Sequence, residues 1–336
     1  MVQLSVLDLA NIGEGLTPAD ALANALDLAR HAEAAGYTRY WLAEHHNLAG
    51  IASAATAVCI CHVAAGTSTI RIGAGGVMLP NHSPMVIAEQ FGTLATLFPG
   101  RIDLGLGRAP GTDQQTLRAL RRAPESSERF PQDVLELRAL LGPPQEGQFL
   151  HAIPGEDTNV PLWILGSSLF GAQLAAMLGL PYVFASHFAP QALMQAIEIY
   201  RDRFEPSEQL AEPYVMVGCN VIVADTEEEA KRLFTSPQQN STRMVRGTRG
   251  KLPRPIDDIE EFWSPAEKAQ ASSMLACSYY GSPNTIRDKV ESLIDATAAD
   301  ELMVAAAIWD HRARVRSFEM LATAMGQASH IQGAAE

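Results

Sequence analysis

The chain has 336 residues, 47% of them hydrophobic and 19% charged, with a formal net charge of −13. This composition suits a soluble globular protein with a large core, and the acidic balance argues against nucleic acid and anionic membrane, both of which select basic surfaces. No apolar run is long enough to span a bilayer, and Met1-Val2-Gln3-Leu4-Ser5 leads straight into a strand-like run with no secretion signal, so a cytoplasmic location is the default expectation.

Residues 2–9 read as a first strand. A helix follows from Pro18, capped by Thr17 and stopped by Gly36. Residues 40–43 form a second strand, and Ser53 caps a helix that runs to Ala65. The third strand spans 69–77, and Pro84 opens a helix ending near Phe98. The fourth covers 102–107, with helical stretches around 114–120 and 132–141. A fifth strand at 160–166 precedes a helix at 169–178, and a sixth at 182–185 precedes one at 190–204. The seventh spans 214–223, with its helix beginning over 227–234. The eighth, 303–308, is closed by a helix at 313–325. Eight strands, each followed by a helix, predict a single-domain α/β chain, a TIM (β/α)8 barrel over 1–336. No strand is followed by GxGxxG, which disfavours a Rossmann domain. Residues 236–264 break the rhythm. They are rich in Pro, Gly, Gln and Asn and carry Arg243, Arg246, Arg249, Lys251 and Arg254, so they read as a structureless, mobile lid between the seventh and eighth strands. Cys59, Cys61, Cys219 and Cys277 lack zinc-ligand spacing and read as free thiols.

In such a barrel, polar residues just past a strand's C-terminal end are the catalytic candidates. Glu44, His45 and His46 follow the second strand, and His82 follows the third. Arg108 follows the fourth, Ser167 and Ser168 the fifth, His187 the sixth, and Asp310 and His311 the eighth. His and Glu from neighbouring strand ends suit either a zinc centre or an acid/base pair beside an organic cofactor. Leu7-Asp8-Leu9 stands where a barrel metallohydrolase carries HxH on its first strand. Gly75-Gly76, inside an apolar strand, fits either the close approach of a flat ligand or a bulge. Gly166-Ser167-Ser168 opens a helix and so offers backbone N–H groups to an anion. Gly171, one turn on, leaves room beside it, and Arg108 suits a phosphate.

Taken in order, WLAEHHN at 41–47, IGAGGVMLPNHSP at 72–84, GRIDLGLGRAPGTDQ at 100–114, GSS at 166–168, FASHFAP at 184–190 and DELMVAAAIWDHRARVRSFE at 300–319 resemble the bacterial luciferase-like flavin-dependent monooxygenases, closest to their single-component, alkanal-monooxygenase-like branch. The resemblance implies a TIM barrel, often dimeric, that binds reduced FMN or, in some branches, the deazaflavin F420. It implies an enzyme that takes reduced flavin from a separate reductase and uses O₂ to oxygenate a small organic substrate. Carried over, it makes His45 the flavin-side acid/base, flanked by Glu44 and His46. Gly75-Gly76 becomes a non-prolyl cis peptide under the flavin ring. Ser167, Ser168, Gly171 and Arg108 become the phosphate site; by their shared place at strand ends, His82, His187, Asp310 and His311 are expected to line the pocket or orient substrate. The chain departs from luciferase at Gly107, where a reactive cysteine stands there, and at Gly171, where a threonine does. An F420-dependent hydride-transfer enzyme, a non-catalytic flavin store and a metal-dependent hydrolase remain alternative readings.

Overall fold

A computed structural model describes residues 2–109 and 112–327. Strand and helix alternate from the start. β1 (Gln3–Asp8) leads to α1 (Pro18–Ala34), β2 (Arg39–Leu42) to α2 (Thr56–Ala65), and β3 (Arg71–Met78) to α3 (Pro84–Leu97). β4 (Ile102–Gly107) is followed by the short α4 (Gln114–Ala119) and α5 (Phe130–Leu141). β5 (Leu162–Gly166) precedes α6 (Leu169–Leu178), and β6 (Tyr182–Phe184) precedes α7 (Leu193–Asp202). β7 (Val215–Val223) is followed by α8 (Glu227–Val245), α9 (Pro265–Met274), β8 (Ser278–Gly281) and α10 (Pro283–Thr297). β9 (Glu301–Ala305) and α11 (His311–Ala324) complete the described chain.

The strands pair in parallel in sequence order from β1 to β7, and β9 sits between β7 and β1, so the sheet closes into an eight-stranded barrel. β8 is an addition to the predicted count. It pairs with residues 220–223 of β7, beyond the stretch where β7 pairs with β6, and so extends the sheet outside the ring. Inward-facing side chains alternate along the strands. Leu7, Trp41, Trp163, Val183, Met216 and Met303 fill the barrel, with Trp41 and Trp163 edge to face at 5.2 Å. A larger apolar layer, including Leu28, Ile60, Phe91, Phe130 and Phe318, lies between sheet and helices.

The end of the barrel where the strands begin is plugged by charge. Arg39 Nε donates to Glu301 at 2.9 Å and its Nη1 to Asp103 at 2.9 Å, and the guanidinium lies 4.5 Å from the Trp163 ring centre. Arg71 also pairs with Asp103 at 2.6 Å, and Ser5 and Tyr214 hydrogen-bond to Glu301. A second buried network, Asp8 with Tyr40 and Arg314, ties β1 and β2 to α11. The ion pairs of the first network raise the Arg39 pKa despite its burial. The cysteines are free thiols, as predicted. No helix among the described residues is long and apolar enough to cross a membrane.

The expected lid needs correction. Ser236–Val245 is the second half of α8, with Ser236, Pro237, Gln239 and Thr242 buried. The following stretch is fastened down. Leu252 exchanges backbone hydrogen bonds with Ile12 and Glu14 beyond β1, Lys251 donates to the Leu16 carbonyl, and Arg254 stacks 4.1 Å from the Trp309 ring centre. Arg243 pairs with Glu14, and Arg246 with Glu267. The basic residues that marked a loose segment in the sequence are mostly its anchors. The expected cap by Ser53 is also absent, because its hydroxyl donates to the carbonyls of Ala43 and Leu9 and joins the ends of β1 and β2 instead.

Candidate active site

Glu44, the second residue past β2, is buried at 1% exposure. Its backbone N–H donates to the Gly76 carbonyl at 3.2 Å, and its Oε2 accepts the Met78 N–H at 3.2 Å. The Glu-His-His segment and the double glycine are therefore one hydrogen-bonded unit. Two imidazoles converge on the other oxygen, with His46 Nε2 at 2.8 Å and His82 Nε2 at 2.9 Å from Oε1. Burial pushes the Glu44 pKa up, but the hydrogen bonds and charges of His46 and His82 outweigh it and hold the carboxyl at about 2. In return the hydrogen bond to Glu44 raises the pKa of His46. Thr112 donates to the His46 carbonyl and Asn47 to Thr116, so the loop after β4 is laced onto this segment.

The Gly75–Gly76 peptide is cis, as the resemblance implies. Of the two readings of the double glycine, the strand itself shows the bulge, because the β3–β4 register slips between Ala74 and Val77. Protein fills the space that side chains here would need. A Cβ on Gly75 would lie 2.7 Å from Leu7, and one on Gly76 would lie 2.7 Å from the Gly105 carbonyl oxygen.

His45 is partly exposed beside this unit, and its charge acts on His187 from the loop after β6. Burial, reinforced by that charge, pushes the His187 pKa down to about 4. His187 Nδ1 is buried without a hydrogen-bond partner. The ring rests against Gly218 of β7, where a Cβ would come within 2.5 Å of Nδ1. Gly218 is thus a residue that the sequence reading misses: its lack of a side chain makes the slot that His187 occupies.

Across the mouth, Ser168 stands at the N-cap of α6 but makes no side-chain cap, which leaves the helix's first N–H groups uncapped by it. Arg108 is exposed, donates to the Ser127 carbonyl at 3.3 Å and lies 4.2 Å from the ring centre of Phe170 in the first turn of α6. Ser167 is partly buried. Arg108, the Ser167–Ser168 turn and the start of α6 thus lie on one side of the mouth. Gly171 is buried, and its missing side chain faces Tyr182 in the core rather than this turn.

Three expected pocket residues have other partners. Asp310 caps α11 by accepting the Ala313 N–H, and His311 pairs with Asp27 of α1 at 2.7 Å, so both serve the outer helix layer. His82 is bound to Glu44 and borders a cavity of about 110 Å³ between α2 and α3, lined also by Ala54, Val77, Ile87 and Gln90.

The sequence model of luciferase-like monooxygenases matches residues 2–301. The chain belongs to this family. A luciferase-like monooxygenase of Escherichia coli (strain K12) is 52% identical over 320 residues, 95% of this chain and 96% of the relative. The N-acetyl-S-alkylcysteine monooxygenase of Bacillus subtilis (strain 168) is 38% identical over 243 residues, 70% and 72% of the two chains. The crystal structure of apo-MsnO8 superposes with a TM-score of 0.90 at 36% identity, covering 98% of this chain and all of that one. More distant structures share the fold alone. One is the oxygenating constituent of 3,6-diketocamphane monooxygenase in complex with FMN (TM-score 0.71, 16% identity; 96% of each chain), and another is an F420-dependent secondary alcohol dehydrogenase (TM-score 0.69, 17% identity; 96% and 99%).

Proposed function

We propose that the protein is a flavin-dependent monooxygenase that uses reduced FMN and O₂ to oxygenate a small organic substrate. The observation that carries this reading is His187, its buried Nδ1 without a partner, at the same end of the barrel as His45 and the Glu44–His46 segment, in a chain that belongs to the luciferase-like monooxygenases. Relatives at 52% and 38% identity bear monooxygenase names. The residues present fit the cofactor. Arg108 with the uncapped α6 turn at Ser167 and Ser168 suits the FMN phosphate, to which Gly171 contributes only backbone.

Reduced FMN, when bound, supplies the activation of dioxygen. The chain's own groups do the rest. His45 is the acid/base group that moves a proton at the reacting end. His187, held neutral, accepts or donates a hydrogen bond without adding charge. Glu44 fixes His46, and with it the segment that carries His45. Leu7, Trp41 and Leu165 keep the barrel below the site dry. Reduced flavin is delivered by a separate reductase, and the chain works as a homodimer.

Side-by-side titrations with FMN and F420, followed by mixing of the reduced complex with O₂, test this reading. Tight FMN binding and a substrate-dependent oxygenated product are expected. Preference for F420 would move the protein to hydride transfer, and flavin binding without turnover would make it a store. Replacing His45 by Ala should lower oxygenation by ~10²–10⁴-fold, the usual contribution of a positioned acid/base group, while FMN affinity changes little. Unchanged oxygenation would remove His45 from the mechanism.

A further inference from the structure

The Glu44–His46–His82 cluster does more than the flavin reading asks of it. That reading needs His45 placed, which one hydrogen bond from His46 to Glu44 accomplishes. Here a second imidazole, from the turn after β3, also reaches the same carboxylate oxygen. One carboxylate oxygen and two imidazole nitrogens all lie within 4.8 Å of one another. We propose that Glu44 Oε1, His46 Nε2 and His82 Nε2 form a binding site for a divalent transition-metal cation of the zinc class. The proposal goes beyond the flavin reading and does not depend on it.

The donor chemistry selects that class. Two imidazoles and a carboxylate are the three-ligand set with which proteins hold zinc or ferrous iron while leaving a position open; magnesium and calcium prefer oxygen ligands throughout. The supports are those of a ligand set rather than of a casual contact. The carboxylate's second oxygen accepts the Met78 N–H and its backbone N–H is held by the Gly76 carbonyl, so the group is fixed with Oε1 toward both imidazoles, while His82 Nε2 also lies 3.0 Å from Oε2. The two strand ends that present the ligands, β2 and β3, are adjacent in the sheet. The cavity of about 110 Å³ that Glu44 and His82 line gives room for a water as a further ligand. Without a metal, each Nε2 carries a proton and donates it to Oε1. With a metal, each imidazole offers the Nε2 lone pair, so binding replaces the two hydrogen bonds, sends the Nε2 protons to Nδ1 or to solvent, and needs only a small opening of the ring-to-carboxylate distances.

The test uses the full chain stripped with a chelator and titrated with Co²⁺, followed by Zn²⁺ displacement. One equivalent per chain is expected, with the visible ligand-field bands of a nitrogen- and oxygen-bound Co²⁺ site that Zn²⁺ abolishes. His46→Ala and His82→Ala should each weaken binding by ~100-fold or more, beyond what loss of a supporting hydrogen bond costs. A His151→Ala control should bind like the parent. His82→Gln keeps a donor for Glu44 but is a poor ligand, so it decides the matter if His82→Ala does not fold. Absence of saturable Co²⁺ binding, or binding that survives both His46→Ala and His82→Gln, overturns the proposal.

Discussion

Three ionisable side chains around the mouth titrate in opposed directions, and each gives a distinct pH signature. Glu44 has its folded pKa lowered from 4.5 to about 2, so its contribution to stability is complete above pH 4.5 and lost as pH falls toward 2. His46 has its pKa raised from 6.5, so its contribution is present below 6.5 and lost as pH rises through the folded value. His187 has its pKa lowered from 6.5 to about 4, so its contribution is present above 6.5 and lost as pH falls toward 4. Side-chain NMR titration should therefore find His187 neutral at pH 5 while His46 is charged. In Glu44→Gln the His46 pKa should fall back toward 6.5; a His46 pKa unmoved by that change would show that Glu44 is not its partner. The sequence announces the site's address but not this division of labour. Along the extended segment after β2, residues 44 and 46 share one side and meet His82, while His45 acts on His187. Only the placement of His82 and His187 on other strands decides which neighbour each imidazole meets, and no local pattern encodes that.

At the scale of elements, the strands were legible because apolar runs of about five residues bounded by Gly, Pro and Ser punctuate the chain. β8 was not. Ser278-Tyr279-Tyr280-Gly281 is four residues long and only partly buried, and it needs β7 to exist as a strand. Nor was the far half of α8, because Pro237 and the polar run after it look like a break. Their polar groups are instead satisfied within the fold: Gln239 donates to the Arg254 carbonyl, and Thr242 to that of Gln238. Limited proteolysis should accordingly spare residues 236–245 with or without flavin, and early cleavage there would restore the mobile-lid reading. The glycines of β3 and β7 are constrained by their neighbours. Gly76→Ala drives a methyl group into the Gly105 backbone and should cost ~1–3 kcal/mol in urea unfolding. Gly218→Ala should displace His187 and bring its pKa back toward 6.5, which the same NMR titration reads.

For the whole molecule, the buried charges at the strand-start end join β2, β3, β4 and β9 across the barrel. Arg39→Met would strand Glu301 and one oxygen of Asp103 and should cost ~3–5 kcal/mol in chemical denaturation. A change below 1 kcal/mol would mean that the plug is dispensable. The closing seam has a further consequence, in time. Gln3 pairs with Glu301, and Glu301 is also the second carboxylate of Arg39. While the polypeptide emerges from the ribosome, β1 and β2 can pair early, but the outer edge of β1 and half of the Arg39 charge balance wait for residues nearly three hundred positions later. Until then the nascent sheet carries an exposed edge, the feature that invites pairing with another chain. Release of the last strand, rather than formation of the first, should set the moment at which this protein becomes safe from aggregation, and chaperone engagement should persist on ribosome-bound chains that end before Glu301.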